Sequence, residues 1–396
     1  MRAGSGGVLA AFGRGNFSVY FAGQVATNTG SWFQNLALSL VVLEVTGSAA
    51  ALSGVTVAQF TPILLLSIPA GRLADRIAPR TILLVAAGAS AAIVGALAVV
   101  VAGESPSVWL LYTLVAALGS VHAFERVAAQ AIIVELTGPA LLSRAVSIST
   151  ISQAAARSIG PGLAGVAFES LGPASCMLLN AASFVLVLLS LLAIRPSGLY
   201  PRPVQREDAA VRIGDLLRER RIATLLVVNV VVALLATNLM LVLTATVTLT
   251  FAGSASAVGA IHALNAVGGV VGGLLAAARP TVSVRTLAGG AALYGMGLLL
   301  SAAAPTLTLL LWFGPVLGLG FGYYLGVLHA AAQVSAPPRA LGRVMSLVTL
   351  GNYGMAPFGA LLMGAVIDAT SGRVSLAVGC AAAFGVAAFV LARHRG

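Results

Sequence analysis

The sequence predicts an all-α membrane protein of twelve transmembrane helices, from its composition, its apolar stretches and its arginines. Of 396 residues, 59% are hydrophobic and only 8% are charged, which is not the composition of a water-soluble globule of this length. A helix needs about 20 largely apolar residues to cross the hydrocarbon. Twelve stretches meet that length: 17–43, 52–73, 81–102, 108–127, 145–168, 176–194, 222–248, 255–278, 287–304, 307–328, 344–367 and 374–391.

The arginines predict the orientation in the membrane. All 22 basic residues are arginine, and nearly all lie in segments on one side of the predicted membrane. Arg373 falls on the other side, and Arg126 and Arg157 fall within spans. Because cytoplasmic loops carry the excess of basic residues, both termini are predicted to be cytoplasmic. The absence of lysine beside abundant Ala, Gly, Val and Leu is typical of GC-rich codon usage and favours a bacterial cytoplasmic (inner) membrane.

A polar segment divides the spans into six and six. Residues 196–221 contain three prolines and a charged run, with a short amphipathic helix allowed from Asp208 onward. The sequence therefore predicts an N-terminal six-helix bundle at 1–195, a cytoplasmic linker at 196–221 and a C-terminal six-helix bundle at 222–396.

The two halves are related in sequence. The run that begins at Leu142, LeuSerArgAlaValSer, returns at Leu341 as LeuGlyArgValMetSer. The matches then continue in the same register, with Gly160, Gly165 and Glu169 opposite Gly359, Gly364 and Asp368. Two pseudo-symmetric bundles made by duplication predict a substrate site between them and access that alternates as the bundles rock.

Three sequence motifs carry a family resemblance. The segment Gly71-Arg72-Leu73-Ala74-Asp75-Arg76, followed by Arg80, resembles the signature loop of the major facilitator superfamily. Gly160-Pro161, followed by Gly165, resembles the fifth-helix motif of that superfamily's proton-coupled exporters. The opening stretch around Phe21-Ala22-Gly23-Gln24 and Gly30-Ser31-Trp32 is similar to the drug/proton antiporter branch that contains macrolide and enterobactin exporters. The resemblance covers essentially the whole chain and implies the major facilitator fold.

The signature segment is interpreted as a gate. Gly71 would let two helices approach closely, and Asp75 would hold Arg76 or a neighbouring helix end in one access state. Arg80 completes the motif. For Gly160 and Pro161 two interpretations stay open, a simple kink in a packed helix or an export motif as the resemblance implies.

Charge inside the membrane marks a second candidate site. A charged side chain at the bilayer centre costs about 2.5–3.5 kcal/mol on insertion scales. Glu125, Arg126 and Arg157 are the charged residues placed inside spans, and Glu125 is the only carboxylate among them. Either Glu125 carries protons, or it pairs permanently with Arg126 or Arg157 and holds two helices together.

The resemblance places the first, fourth, seventh and tenth spans around a central cavity. The polar and aromatic side chains that these spans would contribute are Gln24, Asn28, Gln34, His122, Asn229, Asn238, Tyr323, Tyr324 and His329. They are few, mostly uncharged and set among Ala, Leu and Val. That composition favours a large hydrophobic or amphiphilic substrate over a sugar phosphate or a small ion.

Other functional classes are excluded or disfavoured. The arginines form no continuous stripe with interleaved aromatics, so no nucleic-acid partner is expected despite the net charge of +11. A chain without lysine has no GxxxxGK[ST] loop for ATP. No zinc-ligand spacing or nucleophile elbow is present, so neither an enzyme nor a metal or other cofactor is expected.

The sequence as a whole predicts a secondary active transporter that exports a hydrophobic or amphiphilic small molecule in exchange for protons. Its expected partners are the lipid bilayer, the substrate and protons, and the resemblance favours a monomer. An importer or lipid flippase of the same fold, or a non-transporting membrane sensor, is the alternative.

Overall fold

The structure is a computed structural model that describes residues 8–13, 15–201, 213–279, 281–337 and 340–395. Its helices are α1 (Gly15–Thr46), α2 (Ala49–Arg76), α3 (Pro79–Val101), α4 (Val108–Thr137), α5 (Leu142–Leu171), α6 (Pro173–Ala193), α7 (Ile213–Arg218), α8 (Arg220–Leu235), α9 (Leu239–Ala245), α10 (Ala255–Ala277), α11 (Val284–Ala303), α12 (Leu307–Ser335), α13 (Leu341–Ala369) and α14 (Gly372–Arg395). Short 3₁₀ segments lie at Val8–Gly13 and Pro196–Gly198, and one π-helical turn lies at Thr246–Thr250. The described residues contain no β-strand.

The all-α membrane fold is confirmed. Among the described residues, ten helical segments are long and apolar enough to cross a membrane, with α8, α9 and the π turn counted as one segment, Arg220–Thr250. α1 and α5 are not among the ten, but they are 32 and 30 residues long. Together they account for the twelve predicted spans. Within the linker, the start predicted at Asp208 lies outside the described residues, and α7 is the helix seen there.

Several helices extend beyond their predicted ends. α2 continues to Arg76, so Asp75 lies in its last turn rather than in a loop. α4 continues to Thr137 and includes Glu135, which is buried. α4 therefore carries a second carboxylate, ten residues after Glu125 and beyond the predicted end of the span.

The predicted seventh span is broken. α8 ends at Leu235 and α9 begins at Leu239. A break inside the membrane leaves backbone groups that lipid cannot satisfy. The Tyr294 hydroxyl of α11 donates a 2.5 Å hydrogen bond to the Ala236 carbonyl. One backbone acceptor at the break is thereby satisfied within the protein.

The chain divides into two compact units. Unit 1 comprises residues 1–38 and 61–206, and unit 2 comprises residues 39–60 and 207–396. In unit 1, α3 packs against α4 and α6, and a core that includes Phe17, Ile132 and Leu191 fills one end. In unit 2, the main packed pairs are α10 with α12, α11 with α12 and α14, and α8 with α13. The bundle boundaries inferred from the sequence stay a prediction.

Glycines bring α10 and α12 into backbone contact. A Cβ at Gly268 or Gly272 of α10 would meet backbone atoms of Pro315 or Leu319, and a Cβ at Gly318 of α12 would meet the Asn265 carbonyl. In lipid, where no hydrophobic force drives helices together, such close approach supplies the van der Waals contact that holds them.

Adjacent glycines on α10 allow a matched test of this packing. A Cβ at Gly272 would clash with the α12 backbone, whereas a Cβ at Gly273 would meet nothing within 4 Å. We expect Gly272→Ala to lower the free energy of unfolding by about 1–3 kcal/mol, the usual cost of overpacking. Gly273→Ala should be neutral or slightly stabilising. Unfolding of the purified protein in detergent measures both, and equal effects would contradict the assigned interface.

Candidate functional site

A cluster of four polar side chains lies inside unit 1, between α1 and α4. On α1, the Gln24 amide donates a 2.9 Å hydrogen bond to the Tyr20 hydroxyl. On α4, His122 Nε2 lies 3.7 Å from Glu125 Oε2. The Glu125 carboxylate also acts electrostatically on Tyr20, which connects the two helices. Spacings of three and four residues place each pair on one helix face.

The cluster is only partly shielded. The side chains of His122 and Glu125 are each 23% exposed, while Tyr20 is buried. The His122 ring also contacts Phe184 of α6, with centroids 6.3 Å apart. The arrangement gives Glu125 a titratable neighbour, His122. Arg126 and Arg157 are the two other partners that the sequence predicts for this carboxylate. Arg126 and Arg157 are both exposed.

Three predicted cavity residues make contacts between helices of their own unit. Gln34 accepts a 2.6 Å hydrogen bond from Asn180 of α6. Asn229 of α8 is 1% exposed and donates a 2.8 Å bond to the Val348 carbonyl of α13. Tyr324 is likewise 1% exposed, and its hydroxyl donates a 3.5 Å hydrogen bond to the Val228 carbonyl. These side chains connect neighbouring helices, and their cavity role stays a prediction.

The other cavity candidates differ in exposure. Asn28, Asn238 and His329 are half-buried. Asn238 stands at the break between α8 and α9, and its amide nitrogen is buried without a hydrogen-bond partner among the described residues. Tyr323 is 8% exposed and carries the Arg279 guanidinium 5.8 Å above its ring.

The signature segment is open in this structure. Asp75 and Arg76 are exposed, and a Cβ at Gly71 would meet nothing within 4 Å. The gating role of this segment stays a prediction. Arg80 has a different role: its guanidinium donates to the carbonyls of Leu191 and Leu192, at 2.9 and 3.2 Å. A cation at the last carbonyls of α6 stabilises that helix end.

The fifth-helix motif packs against α1. A Cβ at Gly160 would lie 2.7–2.9 Å from three atoms of Trp32, so the missing side chain makes room for the tryptophan. α5 runs on from Leu142 to Leu171 with Pro161 inside it. Gly165 is buried on the same helix.

A polar contact that sequence reasoning missed lies at the opposite end of the helices, within unit 2. The Asp368 carboxylate of α13 accepts hydrogen bonds from the Ser48 hydroxyl at 2.5 Å and from the backbone N–H groups of Ala49 and Ala50 at 2.6 and 3.1 Å. Ala49 and Ala50 open α2, whose N-terminal N–H groups have no partner within the helix and favour a negative charge. Asp368 therefore ties the start of α2 to the end of α13.

An apolar cavity of about 470 Å³ lies beside α1 in unit 1. α1 contributes Phe21, Val25 and Thr29, and most of the remaining lining comes from α5, where Ile151, Ile159 and Leu163 are at least half exposed. Phe21 follows Tyr20 directly in the sequence. The cavity offers apolar surface with almost no competing polar groups, as a hydrophobic ligand requires.

Comparison with known proteins identifies the family. The sequence profile of the Major Facilitator Superfamily matches residues 6–360. The chain belongs to this superfamily. Within it, the chain is 24% identical over 368 residues to the multidrug efflux pump Tap of Mycolicibacterium fortuitum, which covers 90% of both chains. A multi-pass membrane transporter, not an enzyme, is therefore the class of this protein.

Solved structures of the superfamily share the fold. The nucleoside transporter NupG superposes with a TM-score of 0.74 at 10% identity, covering 94% of this chain and 99% of NupG. A bacterial homologue of the human lysosomal transporter Spinster, inward-facing and occupied, gives 0.72 at 16% identity, with 96% of each chain covered. At these identities the likeness extends to the fold alone.

Removing the Asp368 carboxylate tests the contact with α2. Hydrogen bonds to a charged group each stabilise by about 1.5–3 kcal/mol, so Asp368→Ala should loosen the start of α2. Leu52, near the start of α2, is 3% exposed. A Leu52→Cys variant that lacks the native Cys176 and Cys380 carries a single thiol, whose labelling rate measures how accessible this position is to solvent. We expect an impermeant thiol reagent to label it roughly tenfold faster in Asp368→Ala, since about 1.4 kcal/mol is tenfold.

Glu44 provides the matched control for this labelling. It is exposed near the end of α1 that leads to Ser48, so Glu44→Ala removes a nearby negative charge without removing the cap. An equal increase in labelling in both variants would show that charge alone governs the reagent and would contradict the contact.

Proposed function

We propose that this transporter exports a hydrophobic or amphiphilic small molecule across the bacterial cytoplasmic membrane in exchange for protons. The single observation that carries the proposal is the His122–Glu125 pair, which brings together two proton-binding groups on α4. Both termini are proposed to be cytoplasmic, with the chain acting as a monomer and without a cofactor.

The pair suits proton coupling because it has two neutralised states. With His122 protonated and Glu125 ionised, the two charges offset each other. With the proton on Glu125 and the imidazole neutral, no formal charge remains in the pair. Either arrangement reduces the cost of charge within the membrane, and loss of the proton from the pair leaves an ionised carboxylate beside a neutral imidazole. A change in access that favours one protonation state over the other then couples protons to movement.

The apolar cavity supports a hydrophobic substrate. Its lining residues Phe21 and Val25 share α1 with Tyr20 and Gln24, so a bound molecule and the proton site act on the same helix. Similarity to the multidrug efflux pump Tap favours export over import. Competition between substrate and proton for one favoured conformation of α1 is the proposed basis of exchange.

The ends of the helices support alternating access. In this structure the Asp368 contact with the start of α2 is formed, while Asp75 at the other end of α2 is exposed. We propose that one contact holds while the other is open, and that the roles reverse as access changes.

Drug accumulation tests the proposed function. An efflux-deficient bacterium expressing the chain is exposed to a panel of hydrophobic antibiotics and dyes, with and without a protonophore. Lower accumulation that returns to the control level with the protonophore is the expected result. Unchanged accumulation across the panel would contradict export of this substrate class.

Glu125→Gln isolates the coupling step. The amide matches the carboxylate in size but cannot bind or release a proton near neutral pH. We expect substrate export driven by an imposed pH gradient in proteoliposomes to fall by 10²-fold or more, a size typical of lost proton transfer. Glu104→Gln, an exposed acid between α3 and α4, should keep full transport. Undiminished gradient-driven transport by Glu125→Gln would remove the proton-carrier assignment.

Asp75→Asn isolates the gate. Because Asp75 is exposed, its loss should leave folding unchanged. Transport should fall by roughly tenfold, as expected when one state of a two-state equilibrium loses a coupling free energy of 1–3 kcal/mol. Fluorescence-detected gel filtration verifies folding, and wild-type turnover in a well-folded variant would exclude a gating role.

A further inference from the structure

A second cavity, of about 490 Å³, lies at the end of unit 2 where α8 and α11 begin and α12 and α14 end. It is separate from the polar cluster and the apolar cavity, both of which lie in unit 1. The C-terminal end of α14 lies at this cavity, so it occupies the membrane face predicted to be cytoplasmic.

Three arginines line this cavity: Arg220 and Arg221 at the start of α8, and Arg393 near the end of α14. The described residues that line it include no carboxylate, and none of the three arginines forms an ion pair within the described part of the chain. Arg393 lies over the Phe389 ring, 5.4 Å from its centroid, which limits its freedom. Three guanidinium groups without an ion pair among the described residues make a strong site for an anion with several oxygens.

Uncharged hydrogen-bond donors also line this cavity. The Ser335 hydroxyl at the end of α12 lines the cavity and is buried without a hydrogen-bond partner among the described residues. Ser283 caps α11 by accepting from the Thr286 N–H, and the positive end of that helix, at Val284, faces the same cavity. A buried hydroxyl with no partner is costly, and an anionic oxygen at this position would satisfy it.

The remaining lining is apolar. Leu225, Leu287 and Val390 belong to α8, α11 and α14 and lie below the arginines, toward the middle of those helices. A free inorganic anion gains nothing from these side chains. A molecule with a charged headgroup and hydrocarbon chains uses both parts of the wall.

We propose that this cavity binds the phosphate headgroup of an anionic phospholipid from the adjacent leaflet, with the start of an acyl chain against the apolar residues. Basic pockets between transmembrane helices at the cytoplasmic side recognise such headgroups. The bound lipid bridges α8, α12 and α14 and holds the ends of these helices together.

Native mass spectrometry of the full-length protein in detergent tests the site. The probes are phosphatidylglycerol, cardiolipin, phosphatidylcholine and inorganic phosphate. The expected result is that one anionic phospholipid stays bound, that zwitterionic phosphatidylcholine binds much more weakly, and that millimolar inorganic phosphate does not displace the lipid.

Arginine variants locate the site. Each basic residue near a membrane surface contributes about fivefold in affinity for anionic lipid, so Arg220→Gln, Arg221→Gln and Arg393→Gln together should weaken binding on the order of 100-fold. Arg144→Gln, Arg195→Gln and Arg343→Gln together remove the same charge on the same predicted face, outside this cavity. That control should change binding little.

A single conservative substitution tests the same site even if the triple variant misfolds. Ser335→Ala removes a single buried hydroxyl and should weaken phosphatidylglycerol binding several-fold while leaving phosphatidylcholine binding unchanged. The phospholipid assignment would be overturned by any of three results. Phosphatidylcholine could bind as tightly as the anionic lipids, the two triple arginine variants could lose the same affinity, or inorganic phosphate could displace the lipid.

Discussion

The structure depends on one constraint, the absence of water from the bilayer interior. Every backbone polar group there must find a partner within the protein, so each crossing is helical. The break between α8 and α9 illustrates this constraint. The helix stops there, and the Tyr294 hydroxyl supplies the hydrogen bond that the Ala236 carbonyl needs. The constraint also explains why polar side chains such as Gln34 and Asn180 pair across helices. Polar atoms left over from such pairing are the exceptions that indicate function.

In the proposed function, one feature of unit 1 binds protons and the other binds the substrate. Tyr20, Gln24, His122 and Glu125 bring proton-binding groups onto two facing helices, and the cavity beside α1 offers apolar surface to a ligand. α1 takes part in both. A transporter of this superfamily needs no covalent step, because differential binding to two conformations is sufficient to couple one flow to another.

Much of the fold was predictable because its signal is simple. Apolar length and arginine position need no knowledge of packing, and they gave twelve spans. The break after Leu235 was not predictable, since the sequence around Thr237 and Asn238 contains neither glycine nor proline. At the candidate site, the rarity of carboxylates singled out Glu125, and its three-residue spacing from His122 could have predicted their contact. The helix contacts of Gln34, Asn229 and Tyr324 could not be predicted, because helix rotation decides which face a polar residue occupies.

The glycine contact between α10 and α12 has a mechanical consequence. Two helices whose backbones touch at Gly268, Gly272 and Gly318 have no side-chain layer between them to rearrange, so neither can slide or roll without the other. The two helices therefore move together as one rigid body. Any rearrangement within unit 2 must then use other helix contacts, such as those around the interrupted segment between α8 and α9. The close packing of α10 and α12 thus restricts which helices of unit 2 can shift relative to one another.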